Sequence, residues 1–257
     1  MLRTSDARGS KTEYRKSQQV YLKSRRAEAA YARQLRQVAK QVGSIVKGFV
    51  SPKQVTDSTQ LQNALSKYAE LLRPWAVSVA TRMVEDVARR DATMWADLGA
   101  DIGEQLRGEI ETTPTGQLFR ASINEQVDLI TSLPRQAAER VHKVIIEGMS
   151  AGTRASTIAQ EVLKTGKVTE SRAMLIARTE TSRIATELTA ARAITAQCTH
   201  FVWRTANDRD VRESHKKLSG KIFEIANPPV VDGQPLLPGG TYNCRCYLEP
   251  ILPEIDE

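Results

Sequence analysis

CTHFVWRT at residues 198–205, DRDVRESH at 208–215, LSG at 218–220 and PGGTYNCRC at 238–246 follow one another within the last quarter of the chain. An aromatic of the buried type, a charged turn that ends on an imidazole and two closely spaced thiols are too much chemistry for an ordinary linker. This is also where the helical texture of the chain breaks. Residues 198–205 and KIFEIA at 221–226 are short runs of β-branched and aromatic residues, and 247–251 reads as a third. Between them lie Asn227-Pro228-Pro229, Asp232-Gly233 and residues 235–240, all turn-forming.

Upstream, helical periodicity prevails. Residues 13–50 contain no Pro, and Tyr31, Leu35, Val38, Val42, Ile45 and Phe49 form a heptad seam. The seam is short, which favours packing inside its own domain over a free coiled coil. A second pattern runs Leu61, Leu65, Tyr68, Leu72, Trp75, Val79 and Met83, with Pro74 predicting a kink or two helices meeting near Arg73. It continues through Val87, Met94, Trp95, Leu98, Ile102, Leu106 and Ile110 until Thr112-Thr113-Pro114 stops it. Residues 118–130 read as a short amphipathic helix. Ser132-Leu133-Pro134 reads as the entrance to the next one, with Ser as cap and Pro in the first turn, and that helix ends at 148–152. Helices over 156–163 and about 170–196 complete this part.

The expected architecture is therefore mostly α. An extended helical N-terminal body precedes a small C-terminal α+β module of short antiparallel strands and long turns. The domain reading is a helical region over 1–140 with a basic N-terminal arm, then a module over 141–257, helical to 196 and α+β over 197–252.

With 257 residues and 40% hydrophobic content, the chain can bury a real core. No apolar run approaches the roughly 20 residues that span a bilayer, and the N-terminus lacks the apolar core of a secretory signal. The expectation is a soluble intracellular protein with no membrane partner. Three cysteines, an odd number, argue against a disulfide framework, and Cys244 and Cys246 are too close for an easy mutual bridge.

Of the net charge of +7, residues 1–50 hold more than all: twelve Lys/Arg against three acids. Arg15, Lys16, Lys23, Arg25, Arg26, Arg33, Arg36 and Lys40 make a cationic arm suited to double-stranded DNA or an acidic protein surface. The arm has no base-reading motif and no interleaved stacking aromatics, so a solvated helix face is the plainer alternative.

Two stretches resemble the tailed-phage head-morphogenesis family, the minor head (minor capsid) proteins similar to phage Mu protein F. The first runs from Val144-Ile145-Ile146-Glu147-Gly148 through Gly152, Ile158-Ala159, Leu163 and Arg172-Ala173 to Ile176-Ala177-Arg178-Thr179-Glu180. The second is the series Trp203, Asp208, Arg209, Val211, Arg212, His215, Gly220, Pro238-Gly239 and Asn243-Cys244-Arg245-Cys246. Together they cover about residues 140–250; the N-terminal helices match nothing nameable. The resemblance implies a non-enzymatic virion protein at or near the portal, inside the phage head and in host cytoplasm during assembly. Its work would be head assembly and packaging or delivery of DNA. Partners would be the portal protein, with the major capsid or scaffolding protein and DNA beside it.

Within the module, Trp203 reads as core and Asp208 with the Arg209/Arg212 turn as an Asp–Arg clamp. Gly220 belongs to the same structural set. Arg178 and Glu180, one turn of a long helix, are spaced either for surface pairs with Arg183 and Glu187 or for locking the helix onto the module, and the resemblance favours the lock. Many relatives carry a C-x-x-C where this chain has Arg212-Glu213-Ser214-His215, and a His where it has Thr241. The resemblance thus suggests a zinc site of which His215, Cys244 and Cys246 remain. Cys198 or His200, two apart on one strand, would offer a fourth ligand. The alternative is no cofactor, with His215 and the thiols packed as a hydrogen-bonded remnant. A different class of function, a nuclease or transferase using Arg178/Glu180 and Asp208/His215, lacks a readable nucleophile–base spacing and the clustered carboxylates of a Mg²⁺ site. A DNA-binding regulator lacks a helix-turn-helix.

Overall fold

The computed structural model of the protein describes residues 11–51, 53–55, 57–98 and 114–253, and their side chains from residue 25 onward apart from 96–98 and 114. In chain order the elements are α1 (Lys11–Gly48), α2 (Ser58–Leu71), α3 (Arg73–Leu98), α4 (Pro114–Ser150), α5 (Ala155–Leu163) and α6 (Thr165–Thr195). There follow β1 (His200–Arg204), α7 (Glu213–Lys216), β2 (Ile222–Glu224), β3 (Val230–Val231), β4 (Gln234–Pro235) and β5 (Tyr247–Pro250). The mostly helical fold with a small antiparallel C-terminal part is the one expected.

An apolar period accounts for the C-terminal half of α1. Tyr31, Leu35, Val38, Val42 and Val46 are all buried at helical spacing, and the seam packs within the chain. Asp57 caps α2, its carboxylate accepting from the Gln60 N–H at 2.8 Å. The chain turns from α2 into α3 at Leu72, so that Pro74 falls in the first turn of α3, where its missing N–H costs nothing. Two helices meet near Arg73, as expected. Ile102, Leu106, Ile110 and the stop at Thr112-Thr113 lie outside the described residues.

Pro134 corrects the sequence reading. Residues 118–130 and the segment from Ser132 do not form two helices; α4 is one helix of 37 residues with Pro134 inside it. The hydroxyls of Thr131 and Ser132 donate to the carbonyls of Asp128 (3.2 Å) and Leu129 (2.7 Å), giving acceptors in the disturbed turn new partners. Ile130 and Leu133, both fully buried, anchor the turn on either side. Local capping preference loses to this burial. Likewise α6 begins at Thr165, five residues before the expected start.

The described residues divide into two compact units. One draws on the described parts of Met1–Ala29, Met83–Ser122 and Arg178–Glu257, the other on Ala30–Arg82 and Ile123–Ala177. The second unit is helical apart from a bridge between Val50 and Val55. Its core joins Val42 and Val46 of α1, Leu61 and Leu65 of α2, Val141 and Ile145 of α4, and Ile158 and Val162 of α5. Within it α1 and α6 approach at a glycine pair: a Cβ on Gly166 would stand 3.1 Å from the Gly43 Cα.

The first unit carries the sheet, ordered β2-β1-β5 and antiparallel throughout, with Trp203 opposite Leu248 and Phe201 opposite Phe223. The alternation of β1 turns Phe201 and Trp203 inward, onto Trp95 of α3, Ala190 and Ala193 of α6, Ile225 and Leu248. Asp91 of α3 and Arg192 of α6 form an ion pair inside this unit, each almost wholly buried. Arg192 also donates to the Ala88 carbonyl at 3.1 Å, and Thr189 donates to the second oxygen of Asp91. Nothing in the sequence reading points to this network. That reading expects the Asp232-Gly233 turn but not the strand pair around it. Both residues have positive φ (53° and 88°), the geometry of a two-residue type I′ hairpin, and β3 and β4 follow from it.

Replacing Gly166 by Val should cost about 1–3 kcal/mol in urea unfolding, because no flexible atom can yield to the added methyls. Gly48→Ala, at a position with open space around a Cβ, should leave the midpoint unchanged or raise it slightly.

Candidate functional site

Three chain segments converge where the sequence concentrates its chemistry: the 208–215 turn leading into α7, the β3–β4 hairpin, and the 238–246 segment that enters β5. The third is positioned by α6. Thr186 Oγ1 donates to the Pro238 carbonyl at 2.6 Å, and the Asn243 N–H donates to Thr179 Oγ1 at 3.2 Å. Between those bonds Gly239 (φ +89°) lies so close to α6 that a Cβ would meet Thr186 Oγ1 at 2.8 Å and the Ser182 carbonyl at 3.1 Å. Only glycine satisfies both the left-handed backbone and the approach.

The 208–215 turn is then tied to this segment at three points. Arg245 binds the Asp208 carboxylate through both terminal nitrogens, at 2.7 and 2.9 Å, and reaches Asp210 at 3.1 Å. Arg212 donates to the Tyr242 carbonyl at 2.7 Å. His215 Nδ1 lies 3.4 Å from the sulfurs of both Cys244 and Cys246. The expected Asp–Arg clamp therefore exists, but its arginine is Arg245 rather than Arg209 or Arg212, and the fork geometry is the bidentate one. Arg209 is almost fully exposed, 3.8 Å from Asp210.

His215, Cys244 and Cys246 are each 2–3% exposed. Trp203 and the imidazole meet in a T-shaped contact, with ring centroids 5.6 Å apart at 89°. Trp203 is core, as expected. On the far side His215 Nε2 faces Asp232 Oδ2 at 3.6 Å and has no hydrogen-bond partner. A recess of about 90 Å³, lined by Asp210, Arg212, Asn243 and the triad, opens beside the thiols.

The two thiols are electrostatically unequal. A hydrogen bond from Cys246 holds Cys244 down to about 5, helped by the backbone N–H groups of Cys246 and Gly239 and by the neighbouring imidazole. Sharing its proton with Cys244, together with burial, pushes Cys246 well above the ordinary thiol range. The geometry thus favours the thiolate on Cys244 and the proton on Cys246. Such a set fits a soft cation: sulfur and imidazole donors, all within 4.8 Å of one another.

The other predicted residues are placed as follows. Gly220 (φ +82°) turns the chain into β2, its N–H donating to the Trp203 carbonyl at 2.8 Å. Arg178 pairs with Glu28 of α1 at 3.4 Å, and Glu180 accepts from Arg183 at 2.7 Å, while Arg183 also reaches Glu187 at 2.8 Å. The contacts described above from α6 to the 238–246 segment come from the intervening threonines. Cys198 and His200 are not in the metal-competent group: Cys198 is buried in the sheet core, and His200 contacts Thr199 at 2.8 Å and Glu224 at 4.0 Å. Asp208 is engaged by Arg245 and His215 by the thiols, so the two are not joined as an acid–base pair. On α1, Arg25, Arg26, Arg33 and Lys40 are exposed, whereas Arg36 is half-buried and 3.7 Å from Glu170. The side chains of Arg15, Lys16 and Lys23 lie outside the described ones.

Residues 139–249 match a family model described as Phage Mu protein F like protein. The chain is 30% identical over 247 residues to an uncharacterized protein of Haemophilus influenzae, spanning 89% of this chain and 54% of that one. It is 26% identical over 207 residues to Minor head protein GP7 of Bacillus phage SPP1, spanning 73% of this chain and 64% of that one. It thus spans between half and two thirds of the length of these relatives. No solved structure matches it. Among the described residues no helix is long and apolar enough to cross a membrane.

A double-mutant cycle on Asp208→Asn and Arg245→Gln should return a coupling of roughly 0.5–2 kcal/mol in chemical denaturation, modest because Asp208 is partly exposed. Arg245→Lys should not restore it, since an ammonium lacks the fork. In the metal-free protein, thiolate absorbance should titrate with a midpoint near 5, and Cys244→Ser should abolish that step. Because the folded value lies below the ordinary one near 9, this group's contribution to stability should be lost progressively as pH falls from about 9 to about 5.

Proposed function

Proceeding from the phage Mu F-like minor head protein family, which the family match over residues 139–249 and the GP7 relative support, we propose that this chain acts at the portal vertex. It is a non-enzymatic protein inside the head of a tailed phage, made in host cytoplasm, and it serves head assembly and the packaging or delivery of DNA. A role in head morphogenesis is the part the family itself supports. The portal protein is the principal partner, with the major capsid or scaffolding protein as neighbours. The module, taken as residues 141–257, is an attachment unit.

One observation carries this reading. The polar side chains that an enzyme would aim into a cleft are instead spent on one another: Asp208 on Arg245, Arg212 on the Tyr242 carbonyl, His215 on two thiols. The adjoining recess of about 90 Å³ is far smaller than the pockets that take a nucleotide or a peptide. Rigid cross-ties between loops suit a surface that must keep its shape while bound. They do not favour the nuclease or transferase reading.

The cations of α1 supply the second contact. Arg33, Lys40 and Lys47 are exposed at intervals of seven residues, hence on one face, opposite the buried seam. Arg26 precedes them by one more interval. Packaged DNA is the partner we favour for this face, an acidic portal surface being the other.

Binding of the full chain to a DNA duplex should weaken with salt, with a slope of log K against log [salt] near −3 if those three cations each neutralise one phosphate. Each Gln substitution should flatten the slope by about 1. A salt-independent isotherm points to the protein surface instead. Co-expression with the cognate portal protein should yield a complex that survives purification, and heads assembled without this chain should package poorly.

A further inference from the structure

We propose that His215 Nδ1 and the sulfurs of Cys244 and Cys246 hold one soft divalent cation of the zinc class, with Asp232 as outer-shell partner to the imidazole and the fourth coordination position open to the recess. The inference rests on the geometry of these residues and stands whether or not the chain works at a portal.

The separations fit the ion. With Zn–S near 2.3 Å and Zn–N near 2.0–2.1 Å, a tetrahedral centre spaces sulfur and nitrogen by about 3.6 Å. Both sulfurs lie 3.4 Å from His215 Nδ1. No long side chain has to swing in, since all three donors are already buried on α7 and on the segment leading into β5.

The unpartnered nitrogen is the second observation. His215 Nε2 is buried without a hydrogen bond, a costly state for a polar atom. Ligation through Nδ1 puts the ring proton on Nε2, which then points at Asp232 Oδ2, 3.6 Å away. A small closure completes the carboxylate–histidine–metal arrangement that orients ligating imidazoles. Asp232 is presented by the first position of the type I′ turn, in the left-handed conformation (φ 53°), so the β3–β4 hairpin has a stated purpose in the site. Any thiol proton leaves on binding, because a coordinated thiol is deprotonated outright.

Among the described residues no further His, Cys, Asp or Glu joins the group. The recess of about 90 Å³ beside the thiols is roomy and polar enough for water as the fourth ligand. Bound this way, the ion pins α7 to the segment entering β5.

The test is metal content and affinity of the untagged full chain. After chelation and dialysis, titration with Zn²⁺ against a chromophoric chelator should give one ion per chain, and the melting temperature should rise. Co²⁺ in its place should show thiolate charge-transfer absorption. Cys246→Ser should abolish stoichiometric binding, whereas Cys198→Ser should leave it unchanged. Asp232→Asn alters an exposed carboxylate and should fold normally by circular dichroism, yet bind ten- to a hundredfold more weakly. Absence of a stoichiometric ion in the wild-type chain, or equal zinc content in wild type and Cys246→Ser, overturns the site. Unchanged affinity in Asp232→Asn overturns the role given to the hairpin.

Discussion

The docking of the 238–246 segment on α6 is the constraint from which the rest of the C-terminal architecture follows. Two hydroxyls, Thr186 and Thr179, bond backbone groups of that segment at either end, and Gly239 lies between them where a side chain has no space. With the segment held there, Cys244, Arg245 and Cys246 have fixed directions. The thiols face inward, toward His215 and Trp203, and the guanidinium faces the 208–210 turn. Alternation along an extended chain does the sorting. A residue with a side chain at 239 would lift the segment and loosen the clamp and the triad together.

A second constraint sits deeper in the same unit. Asp91 and Arg192 are buried together, and burial alone would drive the carboxyl toward its neutral form, pushing its proton affinity up, while the guanidinium and the Thr189 hydroxyl oppose that. Such pairs are weak sources of net stability, because desolvation consumes most of the attraction. Breaking one is expensive, since the partner is left charged and alone. The pair therefore matters for which arrangement of α3 and α6 is tolerated, and it joins an element far upstream to the helix on which the C-terminal segment docks.

Periodicity and turn chemistry, which are local and strong, make several features legible in the order of residues: the α1 seam, the meeting of helices at Arg73, the role of Trp203 and the strands at either end of the module. Pro134 misleads because its local signal, Ser132 two residues ahead, is that of a helix start. Whether a proline begins a helix or sits inside one depends on what its neighbours bury, and Ile130 and Leu133 are core. Asp208 reads correctly as a clamp residue, yet its arginine comes from 37 residues away rather than from the adjacent turn. Arg245 is masked by the two cysteines that flank it, whose chemistry dominates any reading of that stretch. The resemblance singles out His215, Cys244 and Cys246, which do converge, but it offers β1 for a further member of the group, because spacing along a strand says which face a residue shares and nothing about the distance to another loop.

By itself the chain's order of residues determined a helical body, a change to short strands near residue 198, a cationic first helix and a convergence of imidazole and thiols, because each is a matter of period, charge or residue type. The tertiary structure alone decided the pairings: Asp208 with Arg245, Asp91 with Arg192, His215 Nδ1 with both sulfurs and Nε2 toward Asp232. These link residues 17 to 101 positions apart. Contacts of that kind depend on how whole elements settle against one another, and no local pattern encodes the outcome of that packing.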